Sequence, residues 1–138
     1  MKTNFLNLSI KILITLLCLL TVSCSKNDDS NNSGEKTYQI KYELTGTFSG
    51  TLIIVYDNED GVNQVEDNVS LPWSKLITIK TDGSLPIGLS ANSEIDGFGN
   101  ANENMTGKIM IGGIVKKSAN VNTTSDGFIN LGMSTFLQ

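Results

Sequence analysis

The stretch "TYQIKYELT", Thr37 to Thr45, alternates without a break: Tyr38, Ile40, Tyr42 and Leu44 fall on one side, Thr37, Gln39, Lys41 and Glu43 on the other. A period of two is the pleat of a strand with one face buried and one face in water. The next run, "TFSGTLIIVYD" at 47 to 57, places Leu52, Ile54 and Tyr56 on one side and Ile53 and Val55 on the other. Apolar side chains on both faces predict a central strand, covered by its neighbours.

Working outward, "NVSLPWSKLITIK", "LPIGLSA", "GKIMIGGIVKKSA" and "DGFINLGMSTFL" continue the pattern, punctuated by Asp60-Gly61, Asp82-Gly83 and Asp96-Gly97. Gly112-Gly113 reads as a tight two-residue hairpin, because both positions of such a turn need a backbone that glycine adopts freely. Sustained helical periodicity is absent downstream of residue 36. Short strands at this spacing predict one all-β domain over 37–138, an antiparallel sandwich or barrel of about seven to eight strands, large enough to build a core without disulfides.

Upstream the texture is different. Lys2 and Lys11 flank a short amino-terminal region, and "ILITLLCLL" from Ile12 to Leu20 is apolar except for Thr15. The run is too short to span a bilayer without burying Lys11 and Asn7, so 1–23 reads as a signal peptide. "TVSC", ending at Cys24, resembles a lipobox, in which the thiol takes a diacylglycerol and becomes the first residue of the mature chain. Cys18 lies in the signal, so Cys24 has nothing to pair with, and lipid attachment is its expected role. "SKNDDSNNSGEK" at 25 to 36 has no aliphatic or aromatic side chain to bury and reads, with Cys24, as a lipidated flexible stalk over 24–36. Its "KNDD" resembles the acidic export tags of lipoproteins that Bacteroidota display on their outer surface, which implies an outer-membrane location, surface-exposed or on the periplasmic face.

Ten lysines and no arginine face fourteen acids; removal of Lys2 and Lys11 leaves eight lysines and a formal charge of −6. Nucleic acid is an unsuitable partner for such a chain, since binding needs clustered cations to displace phosphate counterions. Histidine is absent, and the mature chain has no free thiol beyond the acylated position. That removes the commonest general base, the commonest metal ligand and the cysteine nucleophile together. Ser74-Lys75 is an adjacent pair whose side chains point to opposite faces of a strand, and so not a dyad. The expectation is a protein that is not an enzyme and uses no cofactor or metal.

Two chemistries survive this exclusion, and both draw on "VYDNEDGVNQVED" at 55 to 67. Aligned on Gly61 as a calcium loop, Asn58 and Asp60 fall on ligand positions, but Tyr56 takes the first and Asp67 the twelfth, so an acidic hairpin turn is the plainer reading. A carboxylate-based hydrolase would draw on Asp57, Glu59, Asp60, Glu66 and Asp67, two of them facing each other across a cleft. Trp73, the one tryptophan, is expected to pack in the core or close the sheets, with an exposed stacking platform as the alternative. "NSEIDGFGNANENMTG", 92 to 107, is the longest region without strand pattern. Asn92, Glu94, Asp96 and Phe98 there, with Trp73, are the candidate contacts for a ligand or partner.

"YELTG" at 42 to 46, "IVYDNEDG" at 54 to 61, "LPWS" at 71 to 74, "LSA" at 89 to 91 and "IMIGGIVKKSA" at 109 to 119 together resemble the small mycobacterial membrane proteins, MmpS, and MmpS-like lipoproteins. The resemblance implies an immunoglobulin-like β-sandwich outside the cytoplasmic membrane. It also implies an accessory role beside an envelope transporter or another membrane protein. A surface-coat or adhesion lipoprotein that binds polysaccharide or lipid is the alternative. Many members carry a cysteine near the position of Gly107 and a partner near the carboxyl end; this chain has neither.

Overall fold

A computed structural model describes residues 34–138; the segment read as a signal peptide, Cys24 and the segment read as a stalk, as far as residue 33, lie outside the described residues. Eight strands follow in order: β1 (Lys36–Gly46), β2 (Leu52–Asp57), β3 (Asn63–Val69), β4 (Trp73–Thr81), β5 (Leu85–Ser93), β6 (Asn104–Ile111), β7 (Ile114–Asn122) and β8 (Asn130–Leu137). They form two four-stranded sheets, β4-β1-β6-β7 and β3-β2-β5-β8, with every pairing antiparallel. The described residues contain no helix.

The alternation that marks β1 is what places it. Ile40, Tyr42 and Leu44 are fully buried while Lys41 and Glu43 sit on the outer face, and β1 begins at Lys36, one residue before the expected start. β2 is flanked by β3 and β5 and buries Leu52, Ile54 and Tyr56 against that face. From the neighbouring strands of the two sheets come Ile77 and Ile79 of β4, Ile87, Leu89 and Ala91 of β5, Met105 and Ile109 of β6, and Leu131, Met133 and Leu137 of β8. Tyr42 Oη alone among buried side-chain polar atoms of the described residues has no hydrogen-bonding partner. Burial, with Asp57 nearby, pushes its pKa well above the ordinary phenol value, so the group is neutral in this core.

Strands β1, β2, β3, β4, β5 and β8 pair as B, C, C′, E, F and G do in an immunoglobulin domain: β1 with β4, β2 with β5 and β3, β5 with β8. The place of strand A, beside β1, is taken by β6 of the β6–β7 hairpin, which is inserted between β5 and β8. Gly112 and Gly113, at φ 57° and 79°, form that hairpin's two-residue turn. Asn58 Oδ1 accepts from the N–H groups of Asp60 and Val62 and closes the β2–β3 turn, with Gly61 at φ 70°.

Besides the start of β1, one strand and one loop differ from the sequence reading. β3, "NQVEDNV", is a separate edge strand with nearly every residue exposed, so it carries no apolar alternation to betray it. The patternless 92–107 region shrinks to a loop over 94–103, because β5 runs on through Asn92 and Ser93 and β6 already begins at Asn104. The inward positions of that part of β6 are Met105 and Gly107, and a glycine hides the alternation. A Cβ at Gly107 would meet Met133 and Leu131, so Met133 occupies the space that a side chain at 107 would take.

Candidate functional site at the loop end of the sandwich

β1 begins at one end of the sandwich, beside the β4–β5 and β6–β7 turns; the loops 47–51, 70–72, 94–103 and 123–129 gather at the other. Two carboxylates fix this loop end. Glu103 accepts from the backbone N–H of Ser49 (2.9 Å) and of Asn100 (3.0 Å) and from Asn100 Nδ2 (3.0 Å). These donors, the Asn100 side chain foremost, hold its carboxyl down at about 2. Glu94 accepts from Thr51 Oγ1 (2.7 Å) and from the Asn68 N–H (3.0 Å), tying the 94–103 loop to the residue just before β2 and to the end of β3.

Backbone contacts complete the packing. Thr51 N–H donates to Gly97 O (2.9 Å) and Gly99 N–H to Gly127 O (3.0 Å). Gly127 has a φ of 85°, and a Cβ there would run into the Gly99 carbonyl, so the residue is glycine for both backbone and steric reasons. The result is a loop pinned at both ends whose apolar residues nevertheless face solvent. Ile95 is 90% exposed and Phe98 46%, and the Phe98 ring meets Phe128 edge to face at 5.9 Å.

Of the residues singled out from sequence, Phe98 and Asp96 lie exposed on this loop, and Glu94 is drawn into anchoring it. Asn92 sits on β5, where its Oδ1 accepts from Asn130 Nδ2 of β8 and its own Nδ2 donates to Ser90 (3.2 Å). Trp73 opens β4 and is half-buried, with its ring 5.6 Å from that of Tyr56.

Trp73 belongs to a second cluster that sequence reasoning missed. Glu66, on edge strand β3, accepts from Trp73 Nε1 (2.9 Å), Tyr56 Oη (2.8 Å) and Lys75 Nζ (3.0 Å), while the Lys75 ammonium lies 5.5 Å from the Tyr56 ring centroid. β3 and β4 are edges of different sheets, so this carboxylate clasps one long margin of the sandwich. Partial burial raises the Glu66 pKa, but donation from Trp73, Lys75 and Tyr56 outweighs it and the net shift is downward; Lys75 is raised by Tyr56 and Glu66. Trp73 and Lys75, two apart on one strand, share a face, and that spacing was the available signal; Ser74 points away into solvent.

Other polar side chains of 55–67 are engaged within the fold. Asn58 Oδ1 is engaged by its own turn, and Asp57 Oδ2 accepts from the Gly88 N–H (2.6 Å). Among the described residues no three acidic or thiol side chains converge as metal ligands would. A cleft of about 680 Å³ at the end where β1 begins is lined by Glu59 and Asp60 from one turn, with Thr78, Lys80, Thr81 and Leu85 among its other walls, so both carboxylates stand on the same side. Comparison with protein-family models and with curated proteins finds no match to this chain.

Proposed function

We propose that this protein is an extracytoplasmic lipoprotein of MmpS-like type, tethered to the outer membrane through an acylated Cys24, which acts as a non-catalytic binding or accessory module for an envelope transporter or another membrane protein. The observation that carries the reading is the pinned 94–103 loop, which presents Ile95 and Phe98 to solvent at the end of the sandwich opposite the start of β1. Exposed apolar residues on a rigid scaffold favour a protein contact, because little entropy is lost on docking.

Charge narrows the partner. The four loops of this end contain Glu94, Asp96, Glu103 and Asp126 and no lysine, which suits an apolar socket rimmed by cations and opposes an anionic lipid surface. The absence of histidine and the placement of Glu59 and Asp60 on one wall support the non-catalytic reading, since glycoside hydrolysis needs carboxylates on both sides of the bond. A photo-crosslinking residue at Phe98 in the native membrane should capture one membrane protein, whereas the same residue at Ser118 on β7 should not. Mass spectrometry of the native amino-terminal peptide should find diacylglycerol on Cys24. An unmodified Cys24, or equal capture from both positions, would refute the proposal.

One observation favours the polysaccharide-binding alternative. A shallow groove of about 430 Å³ crosses the outer face from the start of β3 over β2, β5 and β8, lined by Asn63, Val55, Gly88, Ser90, Gly132 and Ser134. Hydroxyl and amide groups beside apolar ones suit a sugar chain. Co-purification of polysaccharide that is lost on widening Ser90→Leu would favour this reading over the adaptor.

A further inference from the structure

An edge strand offers a row of unpaired backbone donors and acceptors, and proteins that stay monomeric blunt such edges with charge, proline or a bulge. Three of the four edges here are blunted. β3 carries Glu66 and Asp67, a register break opposite Leu52–Ile54 and Asn68 at φ 61°. β4 starts after Pro72 and carries Lys75 and Lys80. β7 carries Lys116 and Lys117 and is bulged against β6 at Ile109–Met110.

β8, "NLGMSTFL", has none of these. It holds no charge and no proline, and its register on β5 runs unbroken from Asn130 to Leu137. Leu131, Met133 and Leu137 point into the core, while Asn130, Gly132, Ser134 and Phe136 are exposed, Phe136 by 59%. Gly88, opposite Ser134, donates its N–H to Asp57 on the β2 side rather than to β8. The Gly88–Ser134 pair is therefore a non-hydrogen-bonded one, and by the alternation of an antiparallel ladder so are Ser90–Gly132 and Asn92–Asn130. The N–H and C=O groups of Asn130, Gly132, Ser134 and Phe136 consequently face outward from the sheet, and open space lies where a Cβ on Gly132 would be.

We infer that β8 is a self-pairing edge, on which a second copy of this chain adds its own β8 antiparallel to form one eight-stranded sheet about a two-fold axis. A two-fold pairing sets each residue type near its own copy, so a charged edge would repel itself, and β8 is the one edge whose sequence is free of that penalty. The outer-face residues beside it, Ser90, Ser134 and Phe136, carry no charge either, and the nearest carboxylate, Asp57, lies on β2 and accepts from the Gly88 N–H. The remainder of the chain is strongly acidic, which disfavours association through its other surfaces. This inference is independent of the partner proposed for the loop end.

Sedimentation of the full chain in detergent should show a dimer that dissociates on dilution, and Ser134→Lys should leave a folded monomer by circular dichroism and sedimentation. Should that variant misfold, Gly132→Pro removes an outward N–H without taking a bond from β5 and should give the same monomer. In intact cells, a chain carrying Gly132→Cys and Ser134→Cys should form disulfide dimers, while Ser118→Cys and the wild-type chain should not. A chain monomeric at every concentration overturns the inference. So does a dimer that survives both edge variants, or a cysteine adduct with a different protein in place of a second copy.

Discussion

Along the β3–β4 margin of the sandwich a single carboxylate gathers donors from three side chains on two other strands, Trp73, Tyr56 and Lys75, and ties the edge of one sheet to the edge of the other. The β7–β8 margin has nothing equivalent. The ion pairs of the described residues lie at the clasp and on the outer face of β1 and β6, where Glu43 meets Lys41 (2.7 Å) and Lys108 (3.3 Å). On the β7–β8 side Tyr38 Oη donates to Gln138 O, and otherwise apolar packing closes the sheets. The polar clasp on the other side therefore seals an edge that β3, with few inward apolar residues, cannot seal by burial.

The centre that both margins share sets the scale. Ile54→Ala, at a fully buried position of central strand β2, should cost about 2–5 kcal/mol in urea denaturation, by lost burial plus the cavity left behind. Next comes the clasp: Glu66→Ala leaves the Trp73 and Lys75 donors without their acceptor and should cost about 2 kcal/mol, with a red shift of Trp73 fluorescence. An unchanged spectrum and midpoint would mean that the margin is closed by packing there too. On the opposite side, Gly107→Ala sets a methyl against Met133 and should cost about 1 kcal/mol, recovered in part when Met133→Ala is added. No coupling between those two changes would show that the β6–β8 packing can relax independently.

Acid should discriminate between the margins more gently. Glu66 and Glu103 have pKa values lowered by folding, so the stability they contribute is fully present above the unfolded carboxylate value of about 4.3. It is lost as pH falls below that, through about 2 in the case of Glu103. The urea midpoint should fall with pH in this window, and less steeply in Glu66→Ala. Equal slopes in the two proteins would remove the clasp from the acid response. The smallest effect on stability is expected from Ser134→Lys, within about 0.5 kcal/mol, since the side chain is exposed and unpartnered on its own sheet.

Legibility in the sequence followed burial. β1 and β2 could be read because one face of each, or both, is apolar, and the Gly112-Gly113 turn because its backbone demands glycine. β3 could not, since an edge strand that faces water on nearly every residue has no pattern to display. The loop end was half legible. Phe98 and Asp96 stand out in a stretch without periodicity, but the anchoring of Glu94 and Glu103 depends on Thr51, Asn68 and Ser49, which reach them only through the fold. Glu66 was named only among the candidate hydrolase carboxylates, and its clasp was missed for the same reason: its partners come from two other strands, and nothing in "QVED" announces them.

The inserted hairpin that stands where strand A would be governs the order in which the chain can assemble. β1 emerges first, yet its neighbours are β4 on one side and β6 on the other, with Tyr42 opposite Lys75 and Ile109. The hairpins β2–β3 and β6–β7 close locally, but the first strand waits for distant sequence, and such non-local pairing places folding in the millisecond-to-second range of small β domains. A chain threaded across a membrane from its amino end would thus hold its most amphipathic strand half-satisfied until nearly all of the domain had followed. In a chain so exported, that delay would keep the polypeptide loose enough to pass through a narrow conduit and would postpone the finished sandwich to the far side.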